Sequence, residues 1–362
     1  VFKWLLLSFG FLGLVYGATP ASIPKESCAV LAPCYNNHPY LVVDFLYWVA
    51  KQEGNNYAAT GAAITVPGTV DPNTGLTPPD ISSRGNVYAP NPGLYPGLKV
   101  GLGMNLEHGK WDLLAEYSYL YSKAVSSVYS NDLNAGILPI FSYTPNNSIL
   151  SSTTYVASSG ATGFVSGAKS KWTLQFNNIN LELGKAVPFF CNLVLHPHFG
   201  LEVSWQQQHL NAEYFVSSTT APSTSLGNNE VIFNQTFWGV GPRAGIDGEW
   251  QCCKHVGLFA NSGFAALWGQ FSGVSKSYDT NTTAGYAHQL IANQLYQPMT
   301  LSPVMQLSLG VHFDWMFCNC YRFAVDAAWE TQTWFFQNQH SSSIADTDLV
   351  MQGLTLGARC DF

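Results

Sequence analysis

Charge is what this 362-residue chain has least of: Asp, Glu, Lys and Arg together make up 10% of it. Long hydrophobic runs are missing as well. After residue 17 no apolar stretch reaches the roughly 20 residues that a membrane-spanning helix needs. There is no basic run, and the formal net charge of −7 argues against nucleic acid as a partner. No Pro/Ser linker or shift of composition divides the chain, so one main domain is expected. No nucleophile-elbow string is present either, and no enzymatic activity, cofactor or metal site is expected.

What the chain does have is aromatics, at 14% with 11 Trp and 18 Tyr, and 32 Gly. Low charge, many aromatics and no hydrophobic helix suit a transmembrane β-barrel, where lipid takes the place of a core and aromatic girdles mark both interfaces. The final stretch Gly353 to Phe362 (GLTLGARCDF) fits. Leu354, Leu356, Ala358, Cys360 and Phe362 share one face of a strand, and Gly353, Thr355, Gly357, Arg359 and Asp361 the other. An apolar face opposite a small, polar one suits lipid on one side and water on the other, and such a strand ending on Phe362 resembles the terminal strand of outer-membrane barrels. An edge strand of a soluble sandwich would alternate in the same way.

Period-two alternation recurs along the chain. Leu98 to His108 and Trp111 to Ser122 read as a hairpin, followed by Lys171 to Gly184 with Leu193 to Gln206, Phe237 to Glu249 with Val256 to Gly269, and Val304 to Trp315 with Tyr321 to Trp334. Tyr40 to Ala50 opens the series and Leu349 to Phe362 closes it. The fold class is therefore all-β, an antiparallel transmembrane barrel of about ten strands. Segments such as Ala62 to Val66 and Ile137 to Tyr143 leave room for twelve or more. Short turns near 108–110, 185–192, 250–255 and 316–320 alternate with long polar loops at 52–97, 123–169, 207–229, 272–300 and 335–347, as in barrels with periplasmic turns and extracellular loops. Lys3 and the apolar run Trp4 to Tyr16 read as a secretory signal over 1–17. Residues 18–39 then form a periplasmic segment, and 40–362 the barrel.

A charge facing lipid at mid-depth costs about 2–4 kcal/mol for Arg or Lys and less for acids, so strand charges are assigned to the lumen. The lining candidates are Asp44, Lys99, Asn105, Glu107, Asp112, Glu116, Lys171, Asn178, Asn180, Glu182, His196, His198, Glu202, Arg243, Asp247, His312, Asp314, Arg322, Asp326, Glu330 and Arg359. Acids outnumber bases, which predicts a weak cation preference. Ten strands enclose a space that side chains can largely fill, so conduction would rest on small residues such as Gly101, Gly103, Gly239 and Gly241, on extra strands, or on oligomers. His196 and His198 share a strand face, and we read them as pore-lining residues in preference to metal ligands.

Eight cysteines complete the pattern. Cys28 and Cys34 precede the first strand, Cys191, Cys252, Cys253, Cys318 and Cys320 fall in short turns, and Cys360 ends the last strand. All then lie at the periplasmic rim, in an oxidising compartment. Adjacent pairs such as Cys252 and Cys253 are poorly spaced for bonding to each other. They would link the barrel to neighbouring copies or to cysteine-rich envelope proteins; four bridges within the chain are the alternative.

The strings DFLYWVA (44–50), GLKVGLGMNLEHGKWDLLAEYSYL (97–120), WTLQFNNINLELGKAV (172–187), HPHFGLEVSW (196–205) and WGVGPRAGIDGEW (238–250), with the terminal QGLTLGARCDF, resemble the Legionella-type major outer-membrane protein family. Within it the chain is most similar to the porins of Chlamydia-related bacteria, whose cysteine-rich envelopes are disulfide cross-linked. The resemblance implies a pore-forming outer-membrane protein for ions and small hydrophilic solutes. Its expected partners are outer-membrane lipid, the barrel-assembly machinery acting on the terminal strand, further copies of itself and cysteine-rich envelope proteins. A non-conducting structural or adhesive barrel whose loops contact host cells is the alternative.

Overall fold

Each of the ten alternating segments forms a strand of one closed sheet. The computed structural model describes residues 39–62, 85–106, 111–130, 136–141, 154–156, 162–190, 192–218, 225–253, 255–281, 286–317, 321–339 and 347–362. All belong to the unit Cys34–Phe362. The expected signal segment 1–17 and nearly all of 18–39 lie outside the described residues. The barrel strands are β1 (Pro39–Gln52), β2 (Leu94–Leu106), β3 (Trp111–Tyr129), β4 (Thr162–Lys185) and β5 (Leu193–Ser218). They continue as β6 (Ser225–Gln251), β7 (Val256–Asn281), β8 (Met299–Phe317), β9 (Tyr321–Asn338) and β10 (Thr347–Asp361).

Every strand pairs antiparallel with its neighbour in sequence, and β10 returns to β1 from Tyr40↔Asp361 to Gln52↔Leu349. Closure leaves no barrel strand with a free edge, as a sheet surrounded by lipid requires. Ten is the number of barrel strands. Of the two segments held open as further strands, the first overlaps a short strand, Ala58–Ala62, and the second another, Gly136–Pro139. Together with Val87–Tyr88 they make a separate three-stranded sheet in the long-loop regions.

Four of the strands run far beyond their expected ends, β4 beginning at Thr162 rather than Lys171. β5 continues past Gln206 to Ser218, β6 begins at Ser225 rather than Phe237, and β7 extends past Gly269 to Asn281. Much of the polar sequence at 207–229 and 272–300 is therefore hairpin rather than loop. Past the membrane band a strand has water on its outer face, so its outward residues need not be apolar and the alternation fades while the backbone ladder goes on. A further strand, Tyr286–Tyr296, adds to the outer end of β7.

The outer wall carries the apolar face the alternation predicts. Leu98, Leu102, Leu113, Tyr117, Leu201, Leu307, Leu354 and Leu356 all point away from the lumen and are exposed. Trp238 and Trp250 on β6 are each 53% exposed. They lie 12 residues apart in sequence; at about 3.3 Å per residue and a tilt of about 40° that puts them about 30 Å apart along the axis, near the height of an outer-membrane apolar band. Trp205 and Trp268 flank Trp238, and Trp315 and Tyr321 are exposed near the short-turn end, so aromatics mark both edges.

Candidate functional site

Ten inward faces meet in the lumen and divide it along its axis. The short-turn half holds the ionisable inward side chains, set among small and amide residues such as Gly101, Asn178 and Asn180. Lys99 Nζ, on β2, donates to both oxygens of Glu330 on β9, at 2.6 and 2.8 Å. Arg243 on β6 donates from Nε to Glu182 Oε1 at 2.5 Å and from Nη1 to Glu202 Oε2 at 2.9 Å. Asn178 Nδ2 also donates to Glu202, at 3.1 Å. An isolated ion in such a place would lose its hydration for nothing; paired and hydrogen-bonded, it persists. Nearer the mouth, His196 Nε2 lies 2.5 Å from Asp112 Oδ1, and His312 Nε2 lies 3.1 Å from Glu249. Arg322 reaches Asp314 and Glu249, and Arg359 bonds Asp361 beneath the ring of Tyr40.

In the long-loop half aromatic and aliphatic side chains fill the lumen, interleaved with buried uncharged polar groups such as Gln206, Gln208 and Ser302. Leu46, Trp48, Leu120, Trp172, Phe176, Phe271 and Trp334 are all buried in one cluster. Phe176 meets the Trp334 ring edge-on, with centroids 5.3 Å apart. The small sheet caps this layer. Tyr57 and Ile137 are fully buried beside it, the Tyr214 hydroxyl donates to the Tyr57 carbonyl at 2.8 Å, and the Phe141 amide donates to that hydroxyl at 3.1 Å. Burial raises the Tyr57 phenol above its usual pKa, although its hydrogen bond with Ser126 opposes this.

Glu330 joins the two halves. Thr355 Oγ1 and Gln332 Nε2 donate to it at 3.2 and 3.0 Å. Those two residues accept the indole N–H groups of Trp48 at 3.1 Å and Trp334 at 3.4 Å. Lys99 also lies over the Trp48 ring, 5.3 Å from its centroid. The position of the aromatic plug is thus tied to one ion pair.

Most of the expected lining residues do face inward: Asp44, Asn105, Asp112, Glu116, Asn178, Asn180, Glu182, His196, His198, Glu202, Asp247, His312, Asp314, Asp326 and Arg359 join the pairs above by strand parity. Lys171 does not. On β4 the even-numbered Asn178, Asn180 and Glu182 face in, so Lys171 faces out, exposed and in register with Val125 and Asn211. It lies six residues beyond Asn177, the register partner of Trp205, so its amine is clear of the apolar band. Glu107 lies outside the described residues. Tyr40, Glu249 and Asp361 also belong to the charged layer. Their parity with Asp44, Asp247 and Arg359 was the signal that could have found them. The same counting from Asp44, Asn178 and Glu330 leads to Trp48, Trp172 and Trp334.

Of the glycines expected to open the lumen, Gly103, Gly239 and Gly241 have that space taken by neighbours. The space beside Gly103 holds the Tyr40 ring, where an added Cβ would come within 2.0 Å of Cζ. Gly239 faces the Phe237 ring, and Gly241 lies against the Ala266 carbonyl. Missing side chains here admit neighbouring rings and backbone rather than a channel. Among the described cysteines, Cys252 and Cys253 are exposed, Cys360 is half-buried on the outward face, and none is bridged. Cys28, Cys34, Cys191, Cys318 and Cys320 lie outside the described residues.

Solved structures similar to this chain are outer-membrane barrels. The outer membrane protease OmpT from Escherichia coli is 11% identical with a TM-score of 0.38, over 93% of this chain and all of that one. A FadL homologue from Pseudomonas aeruginosa is 10% identical with a TM-score of 0.23, over 90% of each chain. A major outer membrane protein from Thermus thermophilus is 10% identical with a TM-score of 0.23, over 90% of this chain and 99% of that one. No curated protein matches the sequence. The family described as Legionella pneumophila major outer membrane protein precursor matches residues 31–362.

Proposed function

We propose, from the premise that this chain belongs to the Legionella pneumophila major outer membrane protein family, that it is a narrow, cation-preferring pore of the outer membrane that rests closed. Its short turns would face the periplasm and its long loops the outside. The observation that carries this reading is the layering of the lumen. An acid-rich half opens to the short-turn mouth, where Asp247 and Glu249 keep 34% and 41% of their side chains exposed. Above it, closure is made by side chains such as Trp48 and Trp334, which can move without breaking the barrel ladder. Asn178 Oδ1, Gln206 Oε1 and Gln306 Nε2 are buried with no hydrogen-bond partner. Polar atoms of this kind are ordinarily satisfied by water. Asp44, Glu116, Glu182, Glu202 and Glu330 around Lys99 and Arg243 give the passage its negative sign, which favours cations.

A second reading is favoured by the cap. Tyr57, Ile137 and Tyr214 seal the plug from the long-loop side with almost no exposure. A barrel sealed for good would serve as a structural or adhesive surface protein, its loops meeting host cells and its cysteines linking the envelope. Ion flux separates the two. Proteoliposomes should lose a potassium gradient faster than empty vesicles, with potassium moving ahead of chloride. Flux no greater than in empty vesicles, from protein shown to be folded by its heat-modifiable mobility, would leave the structural reading in its place.

A further inference from the structure

We infer that the short-turn mouth of the lumen holds a binding site for one borderline divalent cation of the zinc type, formed by His196, His198 and Asp247. One ligand atom from each of these side chains lies within 4.8 Å of the others. His196 Nδ1 is 3.5 Å and His198 Nδ1 3.3 Å from the same carboxylate oxygen, Asp247 Oδ2. Ligands about 2.0–2.1 Å from a tetrahedral zinc stand about 3.3 Å from one another, so each imidazole nitrogen stands from the carboxylate oxygen as it would around a metal. Two imidazoles and one carboxylate, with a fourth position left to water, form a donor set that zinc takes readily.

Two further observations point to a ligand rather than to pore lining. His198 is only 6% exposed, yet neither of its ring nitrogens has a hydrogen-bond partner. The nearest acceptors, Asp247 and Glu182, lie 3.3 and 3.8 Å away. A buried imidazole is rarely left so. The backbone is also cut away for both rings. A Cβ at Gly184 would sit 2.2 Å from His196 Cε1, and one at Gly245 would sit 2.4 Å from His198 Nε2.

The surroundings match those of a metal-bound histidine. His196 Nε2 pairs with Asp112 Oδ1 at 2.5 Å, leaving Nδ1 to face Asp247. A carboxylate on the far nitrogen of a ligating imidazole fixes its tautomer and orientation. Asp112 receives the Tyr40 hydroxyl on its other oxygen at 3.1 Å, so the orienting group is itself held. His196 and Asp247 keep 28% and 34% of their side chains exposed, which leaves the site open to the mouth.

The test is titration of the refolded, detergent-solubilised protein with Co2+, whose visible absorption reports tetrahedral coordination, followed by displacement with Zn2+. One equivalent per chain is expected, with no near-ultraviolet thiolate band. His198→Gln and His196→Ala should abolish binding, and Asp112→Asn should weaken it about tenfold, the usual loss for a second-layer partner. His209→Ala, whose imidazole pairs with Asn234 elsewhere on β5, should bind as the wild type does. Only variants that keep heat-modifiable mobility are scored, and Gly245→Ala, which crowds the His198 ring, is a further variant expected to lose the band. Absence of binding by the folded wild type, binding unchanged in the histidine variants, or a thiolate band would each overturn the assignment. Because no conduction is required, failure here is separate from failure of the pore reading.

Discussion

Lys99 and Glu330 show what a single side chain carries in this lumen. Lys99 is buried against Glu330, which also receives Thr355 and Gln332. Removing one partner of a buried pair strands the other charge, at about 3–5 kcal/mol, whereas replacing both by apolar residues is often close to neutral. Lys99→Met should therefore lower the urea-unfolding stability in detergent by about that amount, and Lys99→Met/Glu330→Met should recover most of it. A double variant as unstable as the single one would contradict the pairing. Lys171→Ala should shift the same transition by less than about 0.5 kcal/mol, because Lys171 stands exposed on the outer wall. The lumen charges were legible in the sequence because parity along a strand decides which wall a side chain meets. Lys171 was misplaced when charge outweighed parity. The plug was not read because Trp48, Trp172 and Trp334 are apolar, and an apolar residue in a barrel strand is first taken as facing lipid.

At the scale of the strand, the membrane-embedded lengths were legible and the extensions of β4, β5, β6 and β7 were not. Within the band, outward residues such as Leu201, Val203 and Trp205 must be apolar, so the alternation is sharp. Beyond Trp205 the outward Gln207 has water to face, and only the ladder with β4 and β6 carries β5 on to Ser218. Close strand approach makes its own demand. At Gly241 an added Cβ would lie 1.9 Å from the Ala266 carbonyl of β7, while at Gly248 its nearest neighbour would be 3.6 Å away. Gly241→Ala should destabilise the barrel by about 1–3 kcal/mol, the range for overpacking. Gly248→Ala should leave it unchanged or slightly more stable. Equal effects at the two positions, read from urea midpoints, would contradict the described β6–β7 packing.

Across the whole molecule, the two ends of the lumen differ in chemistry. The short-turn end carries the acids, the histidine cluster and, in the turn after β6, the exposed thiols of Cys252 and Cys253. Neighbouring cysteines of this kind are poorly placed to bridge each other, so their partners are expected to lie in other turns or other molecules. Cells lysed with thiols blocked should give high-mass bands on non-reducing gels that collapse on reduction and weaken in Cys252→Ser/Cys253→Ser. Mobility unchanged by reduction would remove the cross-linking role. The long-loop end carries the apolar plug and its cap, and this closure is the feature on which the account of function turns. Single-channel recording in a planar bilayer under a salt gradient tests it most directly, comparing the wild type with Trp48→Ala/Trp334→Ala. Infrequent, small, cation-selective steps are expected for the wild type, and larger or longer openings of the same sign once the two indoles are gone. Equal currents from both proteins, or a reversal potential on the anion side, would contradict it.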